Sequence, residues 1–336
     1  MSGRPSLRAR PGAPHARILG VGGYRPARVV PNAEILTAID STDEWIRERS
    51  GITARRRAAA DESVVDMCVA AAEKALAQAG TTADEIGCVV VATVTHLLQT
   101  PSAAALVAHR IGATGAAAFD ISAACAGFCH GLALASDMVR GGSARQVLVV
   151  GCEKLSDMID PTDRGTAFLF GDGAGAAVVG PADTPGIGPV VWGADGSQAD
   201  AITQDAPWSA LRDGGTDHFP TLSMNGQQVF RWAVFAMAPV CERALDAAGV
   251  GIDELDAFIP HQANLRIVEA MAKKLGLPGD VPIARDVVDT GNTSAASIPL
   301  AMERMLAEGQ APHGGTALLI GFGAGLSYAA QVVTLP

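Results

Sequence analysis

The strongest constraint in this sequence is that it repeats itself. The run EKALAQAG (Glu73 to Gly80) returns as ERALDAAG (Glu242 to Gly249), and DEIGCVVVAT (from Asp84) returns as DELDAFIPHQ (from Asp253), both at an offset of 169 residues. A glycine-rich run, GDGAGAAVV from Gly171, returns as GFGAGLSYA from Gly321, at an offset of 150. Two similar βαβ halves are the simplest account. Helical periods alternate with β-branched runs throughout, so the sheets should be mixed or mostly parallel and covered by helices. With 336 residues, 49% of them hydrophobic, the chain has ample material for such a core. We place the halves at 16–185 and 186–336. The start, 1–15, is basic and proline-rich without an apolar signal segment, and reads as a disordered tail.

Taken in order, ARILGVGGYRP (Ala16 to Pro26) is a first strand. Asp40 to Ile52 reads as a helix with Asp40, Ser41 or Thr42 as N-cap and Gly51 at its end. Trp45 and Arg49 then share a face at i, i+4. Asp66 to Gly80 is an alanine-rich helix and Cys88 to Thr95 a strand, followed by a loop, His96 to Pro101, and a helix to about Arg110. Val147 to Gly151 is a strand, and Asp160 to Gly180 ends in a glycine-rich turn into another. The two glycine-rich runs resemble phosphate loops only weakly: there is no G-K-[ST], and neither opens a Rossmann unit with an acidic residue well placed downstream. Pro181 to Asn225 is irregular and suits a cover over an entrance or a subunit contact.

The candidate chemistry centres on DISAACAGFCHG, Asp120 to Gly131. An apolar strand ends before it, and a helical run follows to Gly141-Gly142, so Cys125 falls in a strand-to-helix turn among small residues. A thiol at a helix N-terminus feels the positive end of the macrodipole, so its pKa should fall, and the free N–H groups there suit a developing oxyanion. This is the setting of a covalent cysteine catalyst. The plainer alternative is a small core residue on a tight helix entry. Two further runs put polar groups at strand or turn ends: His261 in DAFIPHQANLRI and Asn292 in VDTGNTSAASIPLAME. Ligand sites of α/β sheets gather at such ends. Alternatively His261 caps a helix and Asn292 holds a turn. His96 is a weaker competitor at its own strand end.

Composition removes several classes of function. A net charge of −10 argues against a nucleic-acid surface. The six cysteines are scattered, with no C-x-x-C pair, which argues against a zinc site or a disulfide framework and fits a reducing cytoplasm. No apolar run reaches membrane-spanning length.

Together, DEWIRERSGI, AACAGF, DPTDRGTAFLFGDGAGAAVV, PHQANLRI, KKLG, GNTSAAS and GFGAGLSYA resemble the β-ketoacyl-acyl-carrier-protein synthase III family, in order and over nearly the whole chain from Ile18. THLLQTPSAA and GFGAGLSYAAQVV look like the actinobacterial branch, which includes enzymes that prime aromatic polyketides. The resemblance implies a thiolase-like five-layer αβαβα fold of two duplicated halves, a homodimer, and no cofactor, since acyl-CoA is a substrate. It implies a triad of Cys125, His261 and Asn292, and an oxyanion hole of the N–H groups of Cys125 and the turn at Ala324. That turn departs from the all-glycine form of many relatives. Trp45, Arg49 and Arg164 would hold the CoA adenine and phosphates, with Gly226 and Asn264 along the pantetheine channel. The helix Gln262 to Gly276 would dock the malonyl-carrying acyl carrier protein, through Gln262, Ala263, Asn264, Leu265 and the basic Arg266, Lys273 and Lys274. Thr100, on a loop that in the family ends the partner's acyl pocket, would set its depth. A degradative thiolase would want a second cysteine near the last glycine-rich turn, and a non-catalytic subunit would have lost Cys125. An acyl-transferring relative that does not condense remains as the alternative.

Overall fold

The structure is a computed structural model and describes residues 10–336. In chain order the strands are β1 (His15–Tyr24), β2 (Arg28–Pro31), β3 (Ala54–Arg57), β4 (Cys88–Ala92), β5 (Ala117–Ile121), β6 (Val147–Lys154), β7 (Asp172–Ala182), β8 (Val191–Ala194), β9 (Ile202–Gln204), β10 (Leu222–Met224), β11 (Ala257–Pro260), β12 (Thr316–Gly323) and β13 (Ser327–Thr334). The helices are α1 (Asn32–Ile35), α2 (Asp43–Ser50), α3 (Val64–Ala79), α4 (Ala103–Ile111), α5 (Gly127–Gly141), α6 (Trp208–Arg212), α7 (Gly226–Ala248), α8 (Leu265–Leu275), α9 (Val287–Thr290) and α10 (Ser297–Ala307).

Two mixed sheets carry the repeat. The first runs β1-β7-β6-β4-β5, and the second β11-β12-β13-β8. In the first, β6, β4 and β5 are parallel while β7 is antiparallel to both neighbours. In the second, β11 and β12 are parallel and β13 is antiparallel to both neighbours. Thus β4 corresponds to β11, β6 to β12, β7 to β13 and β1 to β8. The place of β5 is reduced in the second sheet to a single parallel bridge, Phe258 to Ile283.

Burial alternates along these strands with period two, and that alternation builds the layers. Val89, Val91, Leu148 and Val150 face α3 and α4. Cys88, Val90, Val147 and Val149 face the other way, onto α5 and α10, which meet Ala257, Ile259, Ala317 and Leu319 of the second sheet. Phe258, Leu318 and Ile320 face outward onto α7 and α8. The order is helix, sheet, helix, sheet, helix: five layers, with α5 and α10 buried at the centre.

Several expected boundaries move for physical reasons. The tail expected over 1–15 falls outside the described residues as far as residue 9, but from residue 10 the chain is placed. Ala13 N–H donates to the Val139 carbonyl (3.2 Å), and Gly12 lies where a Cβ would strike the Arg140 carbonyl at 1.8 Å. His15 already begins β1. Thr42 is the N-cap chosen for α2, and Gly51 closes it in the left-handed region (φ 75). Gly171 to Gly180 is not a turn: β7 begins at Asp172 and contains its glycines. Gly175 is required there because a Cβ would sit 2.7 Å from the Pro299 ring of α10. Its counterpart does turn, at a short 3-10 segment, Ala324–Leu326, between β12 and β13. The strand from Cys88 stops at Ala92: Thr93 N–H still reaches the Ile121 carbonyl (3.3 Å), but Val94 N–H and the Thr93 and Thr95 hydroxyls turn to a buried carboxylate, Glu153.

Candidate active site

The two buried central helices are entered in the same way. Ala124 (φ 45) and Ser294 (φ 49) are the two non-glycine residues of the described chain with positive φ, and they stand at an offset of 170 residues. Each is followed by a one-turn 3-10 entry, Ala124–Ala126 before α5 and Ser294–Ala296 before α10. Left-handed backbone at a residue with a Cβ costs about 1–3 kcal/mol, and it persists where the surroundings enforce it. Here it turns the chain sharply so that Cys125 on one side and Ser294 on the other face a common space. That space is a cavity of about 850 Å³, lined among others by Cys125, His261, Asn292, Ser294, Phe322, Gly323 and Ala324.

Cys125 sits against the turn between β12 and β13. A Cβ on Gly323 would lie 2.8 Å from its Cβ and 3.0 Å from its sulfur. The acidified thiol expected from the helix N-terminus is not found: burial pushes the thiol up to about 12. The Ser294 hydroxyl and the Cys125 N–H pull the other way, and the negative charge of Glu153 adds to the rise. Cys125 is partly exposed where it lines the cavity, while Gly323 packs closely against its Cβ and sulfur. Desolvation there outweighs a helix that begins only at Gly127. The resting sulfur therefore carries its proton.

His261 follows β11 directly and is 2% exposed. Its N–H donates to the Ile320 carbonyl (2.8 Å), and its ring stands edge-to-face on Phe322. Nδ1 meets the Ser297 hydroxyl at 2.8 Å, and that oxygen also accepts from Gln262 N–H at 3.2 Å. The hydroxyl keeps a second lone pair and its own hydrogen for Nδ1; with the hydroxyl as donor, the ring hydrogen sits on Nε2, toward the cavity. Burial lowers the imidazole to about 3, so it is neutral at physiological pH. Asn292 is pinned in the same manner. Its Oδ1 accepts from Ser294 N–H at 2.9 Å, and its backbone bridges Leu169 and Gly171. The amide NH₂ is left as donor toward the cavity. Two neutral N–H donors and a sulfur thus share one enclosed space.

The remaining expected residues separate into two places. Gly226 and Asn264 line the cavity. Asn264 is also the N-cap of α8, accepting from Ile267 N–H at 2.9 Å, so that helix starts three residues later than expected. Trp45, Arg49 and Arg164 meet outside the cavity: the guanidinium carbons stand 5.9 and 4.7 Å from the Trp45 ring centre. Trp45 packs against the same apolar cluster as Leu222 and Met224, which line the cavity. On α8, Arg266, Lys273 and Lys274 are exposed, whereas Gln262 and Ala263 are buried. Gln262 spends its amide on the Pro260 carbonyl and Val287 N–H, so these two cannot belong to a docking surface. Thr100 is exposed and does not line the cavity of its own chain, although His96 to Gln99 do. Ser102 caps α4, its hydroxyl accepting from Ala105 N–H.

Three polar residues of the site escaped the sequence reading: Ser294, Ser297 and Glu153. The signal for Glu153 was present as a charge interrupting the apolar run VLVVGCEKL. The two serines sit in GNTSAAS, where only the fold shows which hydroxyls turn inward.

Comparison with known proteins fits this geometry. Residues 119–196 and 245–335 match the two family profiles described as 3-oxoacyl-[acyl-carrier-protein] synthase III and its C-terminal part. A β-ketoacyl-[acyl-carrier-protein] synthase III of Streptomyces glaucescens is 62% identical, over 97% of this chain and 98% of that protein. The chain belongs to the β-ketoacyl-acyl-carrier-protein synthase III family. A mycobacterial synthase III of Mycobacterium avium is 56% identical over 98% of both chains. The crystal structure of the priming β-ketosynthase of the R1128 polyketide pathway superposes with a TM-score of 0.96 at 51% identity, covering 99% of each chain. The five layers are therefore the thiolase-like fold of this family, and the chain is an initiating condensing enzyme, an acyltransferase of fatty-acid or polyketide synthesis.

Proposed function

We propose that this enzyme transfers an acyl group from acyl-CoA to Cys125 and condenses it with malonyl-acyl-carrier protein, releasing CoA and CO₂. The observation that carries the reading is the convergence of the Cys125 sulfur with two pinned, neutral N–H donors on one enclosed cavity. In the first half-reaction sulfur attacks the thioester carbonyl and CoA leaves. The oxyanion rests on the N–H groups of Cys125 and Ala324, both at the cavity wall. In the second, His261 and Asn292 donate to the malonyl thioester oxygen. The bond to the carboxylate breaks, CO₂ leaves, and the electron pair is held as an enolate. Neutral donors suit this step, because they stabilise the enolate without protonating it. The enolate carbon then attacks the acyl-Cys125 carbonyl, and the β-ketoacyl chain leaves on the carrier.

The Trp45, Arg49 and Arg164 platform suits the adenine and phosphates of CoA, since it offers a ring face and two guanidinium groups, and Trp45 shares an apolar cluster with the cavity-lining Leu222 and Met224. Arg266, Lys273 and Lys274 form the docking face for an acidic carrier protein. Free of salt bridges among the described residues, they sit on a chain that is acidic overall. A homodimer completes the acyl pocket. No helix among the described residues is long and apolar enough to cross a membrane, and we place the enzyme in the cytoplasm.

Mass spectrometry of the acyl-enzyme tests the assignment. Cys125→Ala should take no acyl group from acyl-CoA. His261→Ala and Asn292→Ala should still acylate but release CO₂ from malonyl-carrier protein ~10²–10³-fold more slowly. A covalent adduct on Cys125→Ala would sink the reading. Acylation without any malonyl-dependent CO₂ release from the wild type would favour acyl transfer alone.

A further inference from the structure

Strand β6, in the first half, carries a buried carboxyl that the condensation steps leave unused. Glu153 is 0% exposed. A carboxyl sealed from water is costly and is retained where donors surround it. Its Oε2 accepts from Thr95 Oγ1 (2.8 Å), Val94 N–H (3.1 Å) and Thr93 Oγ1 (3.2 Å), all in the same half. Its Oε1 reaches the second half and accepts from the Ser294 hydroxyl at 3.2 Å. Ser294 in turn gives its N–H to Asn292 Oδ1 at 2.9 Å. One chain of hydrogen bonds therefore runs from β6 to the amide of Asn292, which lines the cavity.

The two halves touch closely here. A Cβ on Gly151, also on β6, would lie 2.1 Å from the Ala295 carbonyl oxygen, so the strand lies directly against the turn that Ser294 opens. The Asn292 backbone is fixed from the first half as well: its N–H donates to the Leu169 carbonyl and its own carbonyl accepts from Gly171 N–H, both at 2.9 Å. What remains to be set is its side chain, and Oδ1 follows the direction of Ser294 N–H. Ser294 has left-handed backbone (φ 49), and so does Ala124 (φ 45) at the duplicated position, which has no hydroxyl. The turn itself therefore does not need one. The hydroxyl of Ser294 serves the bond to Glu153 instead.

We propose that Glu153 is a positioning residue for the decarboxylation step, acting through Ser294 on the amide of Asn292. The inference rests on the reading of condensation given above. Glu153 anchors the Ser294 hydroxyl, the anchored Ser294 presents its N–H to Asn292 Oδ1, and the Asn292 NH₂ is thereby aimed at the malonyl thioester oxygen. No proton moves along this chain. Its effect is geometric: a donor must match the place where the enolate oxygen gathers charge, and a small displacement weakens it. The chain of hydrogen bonds does not pass through Cys125, so the two half-reactions should respond differently to its loss.

The test measures two rates separately: single-turnover acylation, as CoA release, and malonyl-dependent CO₂ release. Ser294→Ala and Glu153→Ala should each lower the ratio of CO₂ release to acylation ~10-fold. In Glu153→Gln the amide oxygen can take the three donors of the first half while its NH₂ donates to the Ser294 oxygen. The bond then survives with its direction reversed, and most of the ratio should return. Adding Ser294→Ala to Asn292→Ala should slow CO₂ release no further, because the anchor acts through that amide. Equal losses in both half-reactions, a further ~10-fold loss in the double variant, or a Glu153→Gln no better than Glu153→Ala would overturn the proposal. If Glu153→Ala does not fold, Ser294→Ala decides, alone and in the Asn292→Ala background. Amide hydrogen exchange over 292–296 in the resting enzyme reads the anchor without substrate, and it should quicken in Ser294→Ala. A wild type that releases no CO₂ while the variant shows this quickening keeps the anchor and loses the condensation reading. A wild type that condenses, with exchange unchanged in the variant, loses the anchor and keeps the reading.

Discussion

At the scale of single residues, the site is a set of polar groups each fixed by one partner. The Ser297 hydroxyl is the partner of His261 Nδ1 and, as donor, leaves the ring hydrogen on Nε2, while Asn292 keeps its NH₂ for the cavity because Ser294 N–H occupies its oxygen. Ser297→Ala should therefore act on one half-reaction. It leaves a buried ring nitrogen without a partner and frees the tautomer, and malonyl-dependent CO₂ release should fall ~10-fold or more. Acylation of Cys125 should change little. Separate measurement of CoA release and CO₂ release checks this, and equal losses in both would count against the tautomer argument. The resting thiol gives a second residue-scale expectation. With its pKa raised by burial, the thiolate fraction of Cys125 is small at neutral pH and grows as pH rises. Alkylation by iodoacetamide should accordingly speed up about tenfold per pH unit through the mildly alkaline range. A plateau already reached below neutral pH would show an acidified thiol instead.

At the scale of elements, the sequence was legible where a local rule governs and opaque where packing does. The caps Thr42 and Gly51, the end of α8 at Gly276, and the helical and strand periods follow from local chemistry, whereas the capping role of Asn264 does not stand out from its neighbours. The run GDGAGAAVV could not be read, because its glycines serve an approach to α10 that is distant in sequence. The acidified Cys125 was misjudged for the same kind of reason: a helix terminus is visible locally, and burial by Gly323 from two hundred residues away is not. That contact offers a test. Gly323→Ala would place a methyl 3.0 Å or closer to the Cys125 side chain, so either the turn or the cysteine must move. Acylation should fall ~10²-fold, in line with losing a correctly placed oxyanion donor, while the fold persists by circular dichroism. On α8, the exposed basic side chains make the docking argument one of a whole face. Arg266→Glu, or Lys273→Glu with Lys274→Glu, should raise KM for the malonyl-carrier substrate several-fold at low salt and leave acylation by acyl-CoA nearly unchanged. Carrier kinetics indifferent to both variants would remove this face from the dock.

At the scale of the molecule, the duplication organises everything, and its imperfections mark the function. Both halves make the same sharp entry into a buried helix, but one presents Cys125 and the other the Asn292–Ser294 turn, so a single catalytic space forms between unlike halves. The other asymmetry lies at β5, which the second half lacks. β5 ends its sheet without a strand partner on its outer side, and the neighbouring loop leaves Leu97 and Leu98 about half exposed. Unpaired backbone and exposed leucines beside each other are what a second copy of the chain would cover. A dimer joined there would bring Thr100, which is exposed and does not line its own cavity, to the partner's acyl pocket. A threonine leaves room for a longer or branched chain, and each further buried CH₂ should favour binding by ~0.8 kcal/mol. The wild type should thus sediment as a dimer and prefer isobutyryl- or hexanoyl-CoA to acetyl-CoA in kcat/KM. Thr100→Phe should narrow it toward acetyl-CoA without changing the dimer, whereas Leu97→Asp with Leu98→Asp should weaken association itself. A wild type that prefers acetyl-CoA and is indifferent to Thr100→Phe would show that another wall, not this loop, sets the depth of the pocket.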